Sequence, residues 1–309
     1  MHGMSREAPG HQPLVAIGVP VYNGERFLEA TLDCLLAQTY RNIEIIVSDN
    51  ASTDGTAAIC KRYAQLDPRV KHARTEINVG ANGNIRRLAG MFRGEYFKLS
   101  NADDLVGPEF VARCVEVLES DPSVALVCTL SRLIDMDGRP LRNYQDDMHI
   151  CESSPVDRFE RILERIRLTN SIQGVGRGGI LRELFLRHGS YDGADMVMLA
   201  AIAARGGIHQ IQQVMFDRRM HEWSASSRSG DAKATQEYLD PATTGAVSAY
   251  LTRIACGYVA EGFRAPFSAG IRMKLAYKAL RSLVSQRGAL AREWISILRT
   301  PFGASRSVA

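Results

Sequence analysis

Five short apolar runs in the first 128 residues, separated by stretches of helical periodicity, constrain this chain more than any other feature. The runs at 15–21, 43–48, 70–73, 95–99 and 124–128 have the β-branched and aromatic content of strands, the third more weakly than the rest. After the first, Phe27, Leu28, Leu32, Leu35 and Leu36 recur on one helical face, and further helices are expected at 57–63, 85–91 and 108–118. Strands that alternate with helices at this spacing build βαβ units. The expected fold is therefore α/β, with a Rossmann-like, mostly parallel central sheet flanked by helices.

The second half reads differently. Asp135-Met136-Asp137-Gly138-Arg139 has the Asp-Gly pair of a hairpin turn, and helices are expected at 156–168, 195–205, 235–262 and 271–284. Residues 1–13 are polar, contain Pro and Gly, and read as a disordered leader. With 45% hydrophobic and 23% charged residues, and no apolar stretch near the ~20 residues of a membrane span, the composition is that of a soluble globular protein. No signal-peptide core follows Met1, so a cytoplasmic location is expected. Cys34, Cys60, Cys114, Cys128, Cys151 and Cys256 are scattered without a CxxC pair, and read as buried thiols rather than disulfides or zinc ligands.

Charge is unevenly spread. From Arg264 onward nine basic residues stand against Glu293 alone, which leaves the rest of a chain of net charge +4 acidic. That balance argues against a general nucleic-acid binder and for one anionic contact surface near the C-terminus. In the last expected helix Ile271, Leu275, Ala279 and Leu283 share one side, and Lys274, Lys278 and Arg281 the other. Such a helix could rest on an anionic membrane face or pack on the main body or on a second subunit of a homodimer.

The polar residues of greatest chemical interest follow the strands. Leu99-Ser100-Asn101-Ala102-Asp103-Asp104 ends the fourth run in two adjacent carboxylates, which repel each other unless a cation or a hydrogen-bond network compensates. Mg²⁺ and Mn²⁺ favour such oxygen ligands and bridge to substrate phosphates; the competing reading is a capping turn before Gly107-Pro108. The first strand ends in Pro20-Val21-Tyr22-Asn23-Gly24 and the second in Ser48-Asp49-Asn50-Ala51-Ser52-Thr53-Asp54-Gly55-Thr56. Asp49 could accept the imide N–H of a uracil, and amides near Tyr22 and Asn23 could hold base or ribose. One of Ser52, Thr53 and Asp54 is expected to cap the next helix.

These segments, in this order, resemble the family 2 glycosyltransferases of GT-A fold. The family's P-x-Y-N, D-D-G-S-T-D-G-T and D-A-D-D segments correspond to Pro20 to Asn23, Ser48 to Thr56 and Asn101 to Asp104, and Asn78-Val79-Gly80 with Asn84 resembles its N-x-G and following N. The resemblance spans about 14–228. It implies a donor site at Pro20, Tyr22, Asn23, Asp49, Asn78, Gly80, Asn84, Asn101 and Ala102, with Asp49 on the base, Asn101 in the ribose or metal shell, and Asp103 on the metal. Farther on, Asp195 matches the family's catalytic base, with Asp192 a weaker candidate, and its alternative role is a helix N-cap. Arg219 and His221 resemble an R-x-H in which a cation and an imidazole face the diphosphate or the metal; the neighbouring Arg218 would help neutralise the charge. One departure is Asn101 in place of an Asp, which removes a negative charge and implies weaker metal affinity.

The resemblance implies a catalytic domain over 14–230, with 14–130 binding the nucleotide-sugar and 131–230 the acceptor, followed by a helical region over 231–309. The implied activity is a Mn²⁺- or Mg²⁺-dependent, inverting transfer from a nucleoside-diphosphate sugar, expected to be a UDP-sugar, to a carbohydrate or lipid-linked glycan in cell-surface polysaccharide synthesis. Two alternatives stand beside it. A non-catalytic nucleotide- or glycan-binding relative would have a decayed metal site at Asn101. A sugar nucleotidyltransferase would carry a Gly-rich basic loop after strand one, which 19–24 lacks, and no GxGxxG follows that strand to favour a dinucleotide enzyme.

Overall fold

The computed structural model describes residues 12–187, 189, 191–222, 235, 238–241, 249–285 and 287–299. Its first half alternates as the periodicity requires: β1 (Val15–Val21), α1 (Leu28–Leu36), β2 (Ile43–Asp49), α2 (Thr56–Leu66), β3 (Val70–Arg74), α3 (Gly80–Met91) and β4 (Tyr96–Leu99). Then come β5 (Leu105–Val106), α4 (Phe110–Ser120), β6 (Val124–Ile134), β7 (Pro140–Tyr144) and α5 (Pro155–Arg165). A 3₁₀ turn (Asn170–Gln173), β8 (Val175–Arg177), α6 (Gly178–Leu186), α7 (Ala194–Arg205) and β9 (Gly207–Arg219) follow. The C-terminal helices are α8 (Tyr250–Arg264), α9 (Ala269–Ser285) and α10 (Arg287–Arg299).

All nine strands join one sheet in the order β3-β2-β1-β4-β8-β6-β9-β5, with β7 paired to β6. The β3-β2-β1-β4 half is parallel, whereas β8 runs antiparallel to both β4 and β6. Alternation along β1 serves two cores: Val15, Ile17, Val19 and Val21 pack with Leu28, Leu32 and Leu35 of α1, and Ala16 packs with Leu88 of α3 and Phe97. Each face of the sheet is thus covered by helices, the arrangement a largely apolar parallel strand demands.

Several expectations need correction. The helix expected at 85–91 begins at Gly80, whose φ of +75° and close approach to the Leu239 carbonyl oxygen only glycine tolerates. The strand expected at 124–128 continues to Ile134, and β8, α6 and the thirteen-residue β9 arise where no element was expected. Register shifts between β6 and β9 break the alternation of buried and exposed side chains in β9, which hides the strand from periodicity. Neither Ser52, Thr53 nor Asp54 is the N-cap of α2; Gly55 is, while Asp54 Oδ1 accepts from the Thr56 N–H and hydroxyl. Gln12 and Pro13 accept hydrogen bonds from Asn42 and Tyr40 and do not belong with the expected leader, whose residues 1–11 lie outside the described residues. Most of 235–249 in the expected helix 235–262 also lies outside them, and the helix described there starts at Tyr250. Cys60, Cys114 and Cys128 are buried, but Cys34 is only half-buried and Cys151 and Cys256 are exposed, because each of these lies at the edge of its apolar surroundings.

In α9, Leu275 and Ala279 of the expected apolar side are buried, together with Ala276, while Ile271 and Leu283 are half-buried. Lys278, expected on the opposite side, instead pairs with Glu160 of α5 and is largely covered. A second apolar stripe of Met273, Tyr277, Leu280 and Val284 is exposed. Among the described residues no helix is long and apolar enough to cross a membrane.

Candidate active site

Parallel pairing sets the site. Val21 lies opposite Asp49 and Gly18 opposite Leu99, so the β1, β2 and β4 chains all leave the sheet at one edge, where ligands collect in open α/β folds. The first two loops are stitched together: Asn23, with φ of 53°, donates its N–H to Ser52 Oγ (2.9 Å) and accepts from Thr53 N–H (2.8 Å). Tyr22 is exposed at the lip, and Pro20 lies inside β1.

Asp49 is wholly buried. Its Oδ1 accepts from Ser52 N–H (2.9 Å), its Oδ2 is ion-paired with Arg74, and His72 Nε2 lies 3.7 Å away. Burial holds the His72 imidazole below its usual pKa, against the opposing pull of Asp49. Asn78, Gly80 and Asn84 come to the same strand end, but their polar groups are engaged within the protein. Asn78 Oδ1 accepts from Asn50 Nδ2 and Gly80 N–H (both 2.8 Å), and both ends of the buried Asn84 amide meet Ser48. These three shape the end of β2 and the start of α3.

Beyond β4 the two carboxylates separate in character. Asp103 is partly exposed, and its Oδ2 lies 2.8 Å from His221 Nε2. Asp104 is buried, accepts the Arg219 backbone N–H (2.9 Å) and the Asn101 Nδ2 (3.0 Å), and is pushed up to about 7 by burial and by the charge of Asp103. Asn101 stays exposed, with its backbone N–H on Gln173 Oε1, and Ala102 lies beside it. The departure from the family's Asp thus has a physical reason: an amide can donate to Asp104 where a carboxylate could only repel it. Asn101→Asp is expected to lower the stability of the metal-free protein at pH 8 by about 1–3 kcal/mol and to tighten divalent-metal binding. Urea unfolding with and without Mn²⁺ checks both; equal stability of the two proteins would refute the role of the amide.

A pH dependence also follows from Asp104. Its unfolded pKa is near 3.8, so between about pH 4 and 7 the folded state holds a proton that the unfolded state has lost. Its contribution to stability is present below that window and lost as pH rises through it. Asp104→Asn should flatten this part of the curve of unfolding free energy against pH, and an unchanged slope would contradict the buried ionisation.

Arg219 is buried, with Nε donating to the Asp103 carbonyl (2.8 Å), Nη1 to the carbonyls of Asp135 (3.1 Å) and Met136 (2.8 Å), and its guanidinium carbon 4.9 Å from the Phe27 ring centroid. Three carbonyls and a ring face engage this cation through Nε and Nη1, so it braces the Asp103 loop. His221 lies against Asp103 and 5.0 Å from the Phe27 ring. Arg218 instead donates from Nη1 to Asn170 Oδ1 (2.6 Å).

Asp195 lies in the first turn of α7, but Gly193 is the N-cap, so the capping role fails. Its Oδ2 accepts from the Thr169 hydroxyl and its Oδ1 from Met196 N–H (2.9 Å), and it is partly exposed, as Asp192 is more fully. The 3₁₀ segment is the link that sequence reasoning missed: Thr169 holds Asp195, Asn170 holds Arg218, and Gln173 holds Asn101. An uncharged run, polar but for Ile172, from Thr169 to Gln173 before Gly174 was its visible signal. Lys98 was also missed. It is fully buried, donates to the carbonyls of Gln173 (2.5 Å) and Leu99 (3.2 Å), lies 4.8 Å from the Phe110 ring centroid, and is pushed down to about 8 by burial. A lysine inside an apolar strand run was the clue.

Comparison with known proteins agrees with this geometry. The glycosyl transferase family 2 model matches residues 16–187, more than half of the chain. An uncharacterised glycosyltransferase of Haemophilus influenzae is 31% identical over 122 residues, which cover 40% of this chain and 38% of that protein. The Escherichia coli chondroitin synthase is 30% identical over 131 residues, 42% of this chain and 19% of the synthase. The aligned stretches thus span well under half the length of both relatives. Among solved structures, S. aureus TarS 1–349 in complex with UDP-GlcNAc has a TM-score of 0.65 at 15% identity, covering 92% of this chain and 79% of that one. The mannosyltransferase PcManGT of Pyrobaculum calidifontis, in complex with GDP-Man and Mn²⁺, has a TM-score of 0.51 at 20% identity, covering 95% and 83%. At these identities the structural likeness speaks for the GT-A fold, and the matched family model over a strand edge bearing Asp49, Asp103 and Asp104 places the chain in glycosyltransferase family 2.

Proposed function

We propose that the protein is a metal-dependent, inverting glycosyltransferase that moves a sugar from a nucleoside-diphosphate sugar, a UDP-sugar first among them, to a carbohydrate or lipid-linked glycan acceptor in the assembly of a cell-surface polysaccharide. The observation that carries this reading is the Thr169–Gln173 turn, which takes the Asn101 N–H on Gln173 Oε1 and holds Asp195 by the Thr169 hydroxyl, so that the loop bearing Asp103 and an acceptor-side carboxylate meet at one turn. The UDP-GlcNAc complex of TarS and the GDP-Man and Mn²⁺ complex of PcManGT support the substrate class.

The donor set suits a hard cation. Asp103, His221 and the Asn101 amide oxygen are the groups that would hold Mn²⁺ or Mg²⁺. When bound, the ion would supply electrostatic stabilisation of the departing diphosphate. Asp195 then takes the proton of the acceptor hydroxyl, with Thr169 and the Met196 amide holding its two oxygens in place. Arg218, at the inner edge of the turn, adds positive charge near the leaving group, and His221 fixes the direction of Asp103. A base entering beside Tyr22 reaches Asp49 by displacing Arg74, whose side chain is 40% exposed.

The domain division at about 130 and 230 and a peripheral location on the cytoplasmic face of a membrane complete the proposal. The exposed α9 stripe, flanked by Arg272, Lys274 and Arg281, fits an anionic lipid surface, while the same stripe could pair two copies. In the full chain, Tyr277→Asp with Leu280→Asp should abolish sedimentation with anionic liposomes; undiminished sedimentation would sink the membrane assignment.

The decisive test of the function is calorimetry with UDP-, GDP- and dTDP-sugars, with and without Mn²⁺, followed by assay for released nucleoside diphosphate. Metal-dependent binding of one donor with slow hydrolysis is expected. Donor binding without turnover on any acceptor would favour a decayed, non-catalytic relative, and no binding at all would refute the proposal.

A further inference from the structure

At the other end of β9 from the donor edge, Ile150 and Ile208 form an isolated antiparallel bridge, each donating its N–H to the other's carbonyl at 2.8 Å. Both isoleucine side chains are wholly buried, so the alternation of an extended backbone turns their neighbours outward. His149 then lies across from His209, and Cys151 across from Gly207. The imidazole rings meet edge to face with centroids 4.9 Å apart, and one ligand atom from each of His149, Cys151 and His209 lies within 4.8 Å of the others. A Cβ on Gly207 would come 3.1 Å from Cys151 Sγ, so glycine there leaves the thiol its place.

We propose that His149, Cys151 and His209 form a binding site for a borderline-soft divalent metal ion of the zinc type, which clamps the segment before α5 onto the start of β9. Two imidazoles and a thiolate suit zinc, and its tetrahedral bonds of about 2.0–2.3 Å call for rotations of these exposed or half-exposed side chains. The rotations break little: Gln210 N–H reaches His149 Nδ1 only at 3.4 Å, and Cys151 Sγ reaches the Ile208 carbonyl at 3.4 Å. Asp121 acts electrostatically on both His209 and Cys151, and offers a neutralising charge. Burial and the neighbouring His149 hold His209 below its usual pKa, which keeps it neutral, as a ligand must be. Burial raises the Cys151 thiol, so binding forms an S–metal bond, breaks the S–H bond and releases that proton to solvent; the site tightens as pH rises.

The site is separate from the donor edge. His209 and Arg219 lie ten residues apart on one strand, about 30 Å by the rise of an extended chain. Its ligands are nitrogen and sulfur where the donor edge offers chiefly oxygen, so the two sites select different ions.

The test is a Co²⁺ titration of the reduced, chelator-treated full chain, read in the near-ultraviolet where a thiolate-to-cobalt charge-transfer band appears. The expected result is a band that saturates at a single equivalent, is displaced by Zn²⁺, and accompanies a rise in melting temperature. Cys151→Ser should abolish the band and His209→Ala should shift the titration to higher metal concentration. Both variants should melt like the parent without metal, since the side chains replaced are exposed or half-exposed. Absence of the band, its survival in Cys151→Ser through another thiol such as Cys256, or Co²⁺ bound without it at the Asp103 site would each overturn the proposal.

Discussion

Replacing Asp195 with Asn is expected to lower glycosyl transfer by about 10²–10⁴-fold while leaving donor and metal binding unchanged. The carboxylate is partly exposed in the first turn of α7, is not the helix cap, and is held by one hydroxyl and one amide; an Asn oxygen can still accept the Met196 N–H while its Nδ2 donates to the Thr169 hydroxyl oxygen. The substitution therefore removes basicity with little change of shape. Transfer measured at saturating donor, beside calorimetric donor affinity, separates the two effects. Near-normal turnover would remove Asp195 from the chemistry and direct attention to Asp192. Thr169→Val should give a milder loss, because it frees the carboxylate to rotate without abolishing its charge.

Replacing Arg219 with Met is expected to destabilise the fold by about 3–5 kcal/mol, whether or not substrate is present. Three backbone carbonyls, of Asp103, Asp135 and Met136, would lose their donors in a buried region, and Phe27 would lose the guanidinium stacked on its ring. A cation that faced a diphosphate would behave in the opposite way: transfer would fall and the melting temperature would hold. Thermal unfolding of Arg219→Met in the absence of nucleotide decides between the two. A melting temperature equal to that of the parent would restore the diphosphate-facing role.

The contrast between Arg219 and His221 shows where sequence reading stops. Both belong to one R-x-H segment, and both lie near Asp103. Whether a side chain two residues along points into the core or toward the cleft depends on the register of β9 against β6, which shifts twice within a few residues. That register is a long-range pairing of two strands some eighty residues apart, and no local pattern carries it. The same holds for Asn84, which the family resemblance placed with the donor site and which the close approach of α3 to β2 sets against Ser48.

The alternation of apolar runs by itself determined the parallel half of the sheet, because a strand buried on both faces must be apolar along its length and must be followed by a helix that covers it. Polar turn residues after β1, β2 and β4 likewise marked the ligand edge, since parallel strands place their C-terminal ends together. Only the tertiary structure decided which of those residues remain open. It buried Asp104 while leaving Asp103 partly exposed, turned Arg219 inward, tied Asp195 to Asn101 through the Thr169–Gln173 turn, and set His149 and Cys151 against His209. Each of these depends on antiparallel or bulged pairing between distant segments, where contact is fixed by the packing of the whole sheet and not by the spacing of neighbours along the chain.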